Sequence, residues 1–133
     1  MDRTTALRTL RDVGAAAWFG GSLMGASGLN AAADEVGPDD RDRVASAGWA
    51  RWTPIFRLAA ASHLVGSVGV LAQTRSKGSA LGLGLTTAAL GATVGTAKLG
   101  AGDAPNKDAI HKVEWAIPAL LAAVVVLGAR RTN

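Results

Sequence analysis

Cysteine and tyrosine are both absent from this 133-residue chain, and phenylalanine occurs only twice. Without cysteine the chain can form no disulfide, no thiolate metal site and no cysteine nucleophile. Aromatic side chains make up 5% of the residues, so a soluble core of ordinary composition is not favoured. The length is that of a single domain. The chain relies instead on alanine and glycine, whose small size suits close helix packing in lipid.

Four long segments carry no charged side chain, whereas 18% of the whole chain is charged. A bilayer core of about 30 Å needs about 20 helical residues. We therefore predict an all-α, integral membrane four-helix bundle forming one domain over residues 1–133. The alternative of a soluble helical bundle is less favoured, because no segment shows a polar stripe. The predicted membrane spans are residues 13–33, 53–74, 78–100 and 109–130.

The first segment also has some features of a secretory signal peptide, since three arginines precede an apolar run that ends in small residues. The run is longer and richer in glycine than the apolar part of a usual signal peptide. We therefore predict a retained helix. The signal peptide remains the alternative.

The basic residues lie at the ends of these segments and form no single face, so nucleic-acid binding is not predicted. Lysines and arginines tie at seven on each side of the predicted membrane. One set is concentrated in short tails and in the loop at residues 74–78, where the positive-inside bias is strongest. We therefore expect both termini to be cytoplasmic. The cytoplasmic set would be Arg3, Arg8, Arg11, Arg75, Lys77, Arg130 and Arg131.

The segment at residues 34–50 would then be external. Pro38 suits a first helical turn, and the residues after it predict a short amphipathic helix lying on the membrane. A plain turn is expected at residues 101–109, with Pro105 and Asn106. Tryptophan favours the headgroup level. The predicted interfacial anchors are Trp49, Trp52 and Trp115.

Small residues recur at spacings of three and four on two predicted helices. Gly21 and Gly25 share a face of the first helix. A second face, on the third helix, holds Gly84, Thr87, Gly91 and Gly95. Such faces let two helices approach closely, either within one chain or between subunits. The sequence does not distinguish packing within one chain from packing between subunits.

Ionisable residues in the outer half of the predicted membrane are the candidates for ligand binding. Arg57 can extend its side chain to the headgroups, or it can pair with Glu114. Lys98 is a second candidate partner for Glu114. His111 shares a face with Glu114, but two ligands without a third are a weak basis for a metal site, and none is predicted.

His63 would lie roughly 15 Å below the outer interface, counted at 1.5 Å per helical residue. His111 would be much shallower, so a haem held by both histidines of one chain is disfavoured. A haem held by His63 from two subunits remains an alternative, although no cofactor is predicted. The simpler interpretation is a hydrogen bond to a hydroxyl on a neighbouring helix. Candidate partners are Thr86, Thr87 and Thr93, and the face of His63 continues through Gly66, Ser67 and Val70.

The stretch AWFGGSLMGASGLN, the external amphipathic stretch and RWTPIFRLAA together resemble small four-span bacterial inner-membrane proteins of poorly defined function, the DoxX-like family among them. The likeness covers about half of the chain. It implies a multi-pass protein of the bacterial plasma membrane, and it transfers no catalytic residue.

No catalytic set is apparent, because the chain has two histidines, no paired carboxylates in its apolar segments and no phosphate-binding loop. The first hypothesis is a non-enzymatic membrane protein, either an accessory subunit of a larger complex or a homo-oligomer. Its partners would be the bilayer and other membrane subunits or copies of itself. The second is a redox protein that binds haem or a quinone-like ligand. The third is a small channel or transporter lined by the threonine-rich third helix.

Overall fold

The computed structural model describes residues 1–100 and 106–130. Over these residues the chain is helical and contains no strand, which confirms the all-α prediction. Most of the predicted turn at residues 101–109, Pro105 included, lies outside the described residues, as does Arg131. The elements in chain order are α1 (Arg3–Met24), a π-helical segment (Gly25–Leu29), α2 (Asn30–Glu35), α3 (Pro38–Thr74), α4 (Lys77–Gly100) and α5 (Lys107–Ala129).

The helix ends follow from local chemistry. The Asp2 side chain accepts a hydrogen bond of 2.8 Å from the backbone N–H of Thr5 and so caps α1. Pro38 occupies the first turn of α3, as the sequence predicts. Arg75 takes a left-handed conformation, with φ 46°, and ends α3. The Asn106 side chain caps α5 by accepting from Ala109 N–H at 3.0 Å.

The predicted external helix is not a separate element, which corrects the sequence analysis. Residues 38–53 form the N-terminal part of α3, a single helix of 37 residues. At 1.5 Å per residue this helix is about 55 Å long, well beyond a bilayer core of about 30 Å. Pro54 lies inside it without ending it. Gly48, between the polar and the apolar parts, is helical as well.

Helix α1 and helix α3 pack as an antiparallel hairpin along most of their length. Thr4 contacts Gln73 at one end of the hairpin, and Leu29 lies against Gly48 at the other. The contacting positions of α1, together with Gly25 at the start of the π-helical segment, alternate in spacings of three and four, the pattern of a coiled-coil seam. These seam positions are Thr4, Leu7, Arg11, Gly14, Trp18, Gly21 and Gly25.

Helix α5 packs against α1, and α4 packs against α5 and the C-terminal half of α3. The described core lies where these helices meet, around the fully buried Trp18 and Leu121. Small side chains of α3 and α4 complete it, namely Ala59, Ala60 and Ala89.

Three helices, α3, α4 and α5, are long and apolar enough to cross a membrane. Helices α4 and α5 coincide with the third and fourth predicted spans to within two residues. Helix α1 is not among the three, and the first predicted span is divided between α1, the π-helical segment and α2. That span stays a prediction.

Candidate functional site

A buried polar cluster lies at the meeting point of α1, α3 and α4. His63 is at its centre and has no exposed surface. Its position follows from Gly14 on α1, which lets the two backbones touch. A Cβ atom added at Gly14 would lie 2.5 Å from the backbone N of His63 and 2.6 Å from the carbonyl oxygen of Ala59. The glycine therefore holds the imidazole ring against α1.

Both ring nitrogens of His63 are hydrogen-bonded. The Nδ1 atom lies 2.8 Å from the backbone carbonyl of Arg11, and Nε2 lies 2.8 Å from the Thr86 hydroxyl. Since a carbonyl can only accept, Nδ1 carries the proton in the neutral ring. Nε2 then accepts from Thr86, with the Ser67 hydroxyl at 3.4 Å as the alternative donor. Thr86 is one of the three partners that the sequence predicts.

The Thr86 hydroxyl has one proton and two neighbouring acceptors. Besides His63 Nε2, it lies 2.9 Å from the carbonyl oxygen of Gly82. The proton can point to only one of them at a time. When the proton points to Nε2, the hydrogen bond joins α3 to α4, and with the Arg11 contact the cluster ties together three helices.

Arg11 is also buried, with 8% of the residue exposed. Its Nε and Nη2 atoms donate to the carboxylate of Asp12 at 2.7 and 3.2 Å. The guanidinium lies beside Gly128, in the last turn of α5. A cation at this end of a helix is favoured by the helix dipole. The sequence analysis placed Arg11 in a cytoplasmic flank and did not anticipate its burial.

A cavity of about 20 Å³ adjoins this cluster. Arg11, Ser67 and Ser79 supply its polar lining, and Val70, Leu83 and Val124 are among its apolar residues. The volume suits a single water molecule. It is far too small for a haem or a quinone.

The other predicted ligand residues do not join this site. Arg57, Lys98 and His111 are exposed, and Arg57 lies away from the His63 face, as the helical spacing predicts. Because both His63 nitrogens are engaged within the chain, no observation favours haem ligation. Among the described residues, no three His, Asp or Glu side chains are grouped as a metal site would require.

Glu114 is half-buried and forms a different contact from the one expected. Its carboxylate accepts a hydrogen bond of 2.8 Å from the side-chain amide of Asn30. The Asn30 oxygen in turn accepts from Trp49 Nε1 at 3.1 Å. The ion pairs of the described residues do not include Glu114, so the alternative in which it pairs with Arg57 or Lys98 is not observed. An amide, rather than a cation, is the described partner of the carboxylate.

The two predicted glycine faces differ in what they contact. Gly21 lies directly against the ring of Trp52, and Gly25 against the ring of Trp49. These two tryptophans therefore fill notches on α1, whereas Trp115 is 43% exposed. On α4, by contrast, Gly84, Gly91 and Gly95 have nothing within 4 Å of an added Cβ atom. We call Gly84, Thr87, Gly91 and Gly95 the open α4 face.

The closest backbone contacts between helices involve glycines that the sequence analysis did not single out as a pair. Gly14 and Gly66 are both placed where a Cβ atom would meet the backbone of the opposite helix. The alternation of three and four along residues 4–25 is the signal that could have identified Gly14. Trp18 belongs to the same row, and its Nε1 is buried without a hydrogen-bond partner.

Comparisons with protein-family models, with curated proteins and with solved structures find no match to this chain. The resemblance to DoxX-like proteins therefore stays a prediction.

Proposed function

We propose that this chain is a small, non-enzymatic, multi-pass membrane protein of the bacterial plasma membrane that works by associating with other membrane helices. Its four long helical stretches would form a membrane-embedded bundle. The partner at the open α4 face would be a second copy of the chain or a subunit of a larger complex. Both termini would be cytoplasmic.

The membrane location is supported by the outward surface of the helices. Only 11% of the residues in the most apolar part of α4 are buried. Large apolar side chains are exposed on α3 and α5 as well, including Leu58, Val65 and Val126. A soluble protein rarely exposes such extended apolar area. Lipid would cover it.

The open α4 face is the observation that carries the proposed association. A glycine in a helix interior costs about 1 kcal/mol relative to alanine, so Gly84, Gly91 and Gly95 cost about 3 kcal/mol together. No close approach by the described residues offsets that cost, because none of them comes within 4 Å of a Cβ atom added at these glycines. Contact with a helix of another subunit would offset it, since small residues permit close packing in lipid.

Native mass spectrometry of the chain extracted gently from its own membrane tests this proposal. We expect an integer multiple of the 13.4 kDa monomer or a complex with other membrane proteins. Gly91→Leu should shift the wild-type assembly to monomer. Gly20→Leu is the matched control, because Gly20 also has nothing within 4 Å but lies on α1. A monomeric wild type, or equal effects of the two substitutions, would refute the proposal.

The cysteine-free sequence allows the proposed orientation to be tested separately. Single cysteines at the exposed positions Thr9 and Ser46 would be labelled in intact cells with a membrane-impermeant maleimide. We expect labelling of Ser46→Cys only. Labelling of Thr9→Cys alone would reverse the orientation, and release of the chain by alkaline carbonate would contradict membrane integration.

A further inference from the structure

An open groove runs between α1 and α3 on the outer surface of the hairpin, away from the buried cluster. Its volume is about 660 Å³. The walls are mainly apolar, with Leu64, Val65 and Val68 on α3 and Leu7 on α1. We call this surface the α1–α3 groove.

The shape of the groove depends on Gly69. An added Cβ atom there would lie 2.6 Å from Cδ2 of Leu7, so the missing side chain at Gly69 lets Leu7 pack against the backbone of α3. Val65 and Val68 remain 58% and 53% exposed beside it. The groove is thus apolar and open along one side.

The length of the groove matches one leaflet of a bilayer. From Leu64 to Gln73, α3 rises about 14 Å at 1.5 Å per residue. Half of a hydrocarbon core is about 15 Å. One end lies at Leu64, at the depth of the predicted midplane. The other end lies at Gln73, which is hydrogen-bonded to Thr4 at 2.9 Å, beside the predicted cytoplasmic boundary.

Cationic side chains are concentrated at this boundary end. Arg3 lines the groove itself, and Arg75 and Lys77 follow Gln73 within four residues. None of the three belongs to an ion pair of the described residues. The nearest acid in sequence, Asp2, is engaged with Thr5. The groove therefore combines an apolar wall with an excess of positive charge at one end, because three cations there outnumber the Asp2 carboxylate.

We propose that the α1–α3 groove binds one anionic phospholipid of the cytoplasmic leaflet. One acyl chain would lie along Leu64, Val65 and Val68, and the phosphate would meet Arg3. The proposal rests on the membrane location argued above. A groove of leaflet length with a cationic end is complementary to such a lipid in both size and charge.

The test is native mass spectrometry of the full chain in detergent, titrated with phosphatidylglycerol and with phosphatidylcholine. We expect the chain to retain one phosphatidylglycerol in preference to phosphatidylcholine. Arg3→Gln should lower that preference about fivefold, the factor for losing one cation near an anionic headgroup. Arg8→Gln is the matched control, because Arg8 is an exposed cation of α1 that does not line the groove.

A steric variant tests the apolar wall. Val68→Trp should fill the groove and lower phosphatidylglycerol occupancy, whereas Leu58→Trp, at an exposed α3 position outside the groove, should not. Circular dichroism would check the helical content of both. Equal effects of the paired variants would reduce the interaction to nonspecific surface attraction and overturn the proposal. So would binding of glycerol 3-phosphate as tightly as the lipid, or a changed oligomer mass with unchanged lipid binding on Val68→Trp.

The two proposals fail in distinguishable ways. A chain that pellets with membranes and keeps its oligomeric mass, yet shows no lipid preference, would refute the lipid site alone. A chain that alkaline carbonate releases from membranes would refute both.

Discussion

Gly14→Ala tests the packing of α1 on α3 most directly, because its two effects change the free energy of unfolding in opposite directions. Alanine favours a helix interior over glycine by about 1 kcal/mol. Against this, the new methyl group would lie 2.5 Å from the backbone N of His63, where ordinary contact begins at 3.4 Å. The obstructing atoms belong to backbone, so the helices themselves must separate by about 0.9 Å.

That separation would act on the buried cluster as well. The distance from His63 Nδ1 to the Arg11 carbonyl is 2.8 Å, and a 0.9 Å displacement along it would extend it to about 3.7 Å, beyond hydrogen-bond range. Overpacking costs about 1–3 kcal/mol and the lost hydrogen bond about 1 kcal/mol. After the helix-propensity gain of about 1 kcal/mol, we expect Gly14→Ala to destabilise the chain by about 1–3 kcal/mol.

The assay is reversible unfolding in mixed detergent micelles, followed by far-ultraviolet circular dichroism. Gly20→Ala is the control, since it makes the same substitution on the same helix with nothing within 4 Å. It should stabilise the chain by up to about 1 kcal/mol. If Gly14→Ala were as stable as Gly20→Ala, α1 and α3 could not pack in this register.

Three further predictions concern the polar contacts. Thr86→Val should cost about 1 kcal/mol, because it removes the closer hydrogen bond to His63 Nε2 at nearly constant volume; the same unfolding assay measures it. Asn30→Ala should cost about 1–2 kcal/mol and shift the Trp49 fluorescence, since Glu114 and Trp49 both lose their described partner. The hydrogen bonds from Thr5 hold the pKa of Asp2 below its usual value, so its cap should support α1 above that range and be lost as the pH falls through the lowered pKa. Hydrogen exchange of the first turn would follow that loss.

Each of these predictions has a matched control. Thr9→Val alters an exposed threonine of α1, outside the open α4 face, and should change stability by less than about 0.5 kcal/mol. An equal effect at both threonines would exclude a special role for the His63 contact. Unchanged fluorescence in Asn30→Ala would place Trp49 away from Asn30. In Asp2→Asn the exchange of the first turn should no longer vary across the acid range, and persistent pH dependence would assign it to another group.

The sequence predicts those parts of the fold that depend on local composition. Uncharged runs place α4 and α5, because a charge inside such a helix would be costly in lipid. Pro38 marks the start of α3 through its fixed backbone geometry. The face of His63, Gly66, Ser67 and Val70 is buried, as helical periodicity requires. Helical periodicity thus predicts which face of a helix is buried, but it does not predict which helix packs against that face.

The remaining features depend on how helices meet. The sequence analysis assigned Gly21 and Gly25 to a close-packing face that could serve a helix of this chain or of another subunit. The structure has the rings of Trp52 and Trp49 there. Which carboxylate meets which partner is equally nonlocal, since Asn30 and Glu114 are 84 residues apart. The burial of Arg11 arises only when α5 ends beside it. The residue pattern of a single sequence does not show which distant segments come into contact.

The π-helical segment at Gly25–Leu29 sets the rotation of everything that follows it on the first helical stretch. An extra residue in one turn changes the seam spacing. After Gly21 the next seam positions are Gly25 and Leu29, each four residues after the one before it. Each residue of an α-helix turns the chain by about 100°. Deleting one residue of this segment would therefore rotate Asn30 away from Glu114 and Trp49, although no side chain of the polar network had been altered. The segment sets the rotational position of the residues that follow it. The hydrogen bonds among Asn30, Glu114 and Trp49 therefore depend on the number of residues in the segment rather than on their side chains.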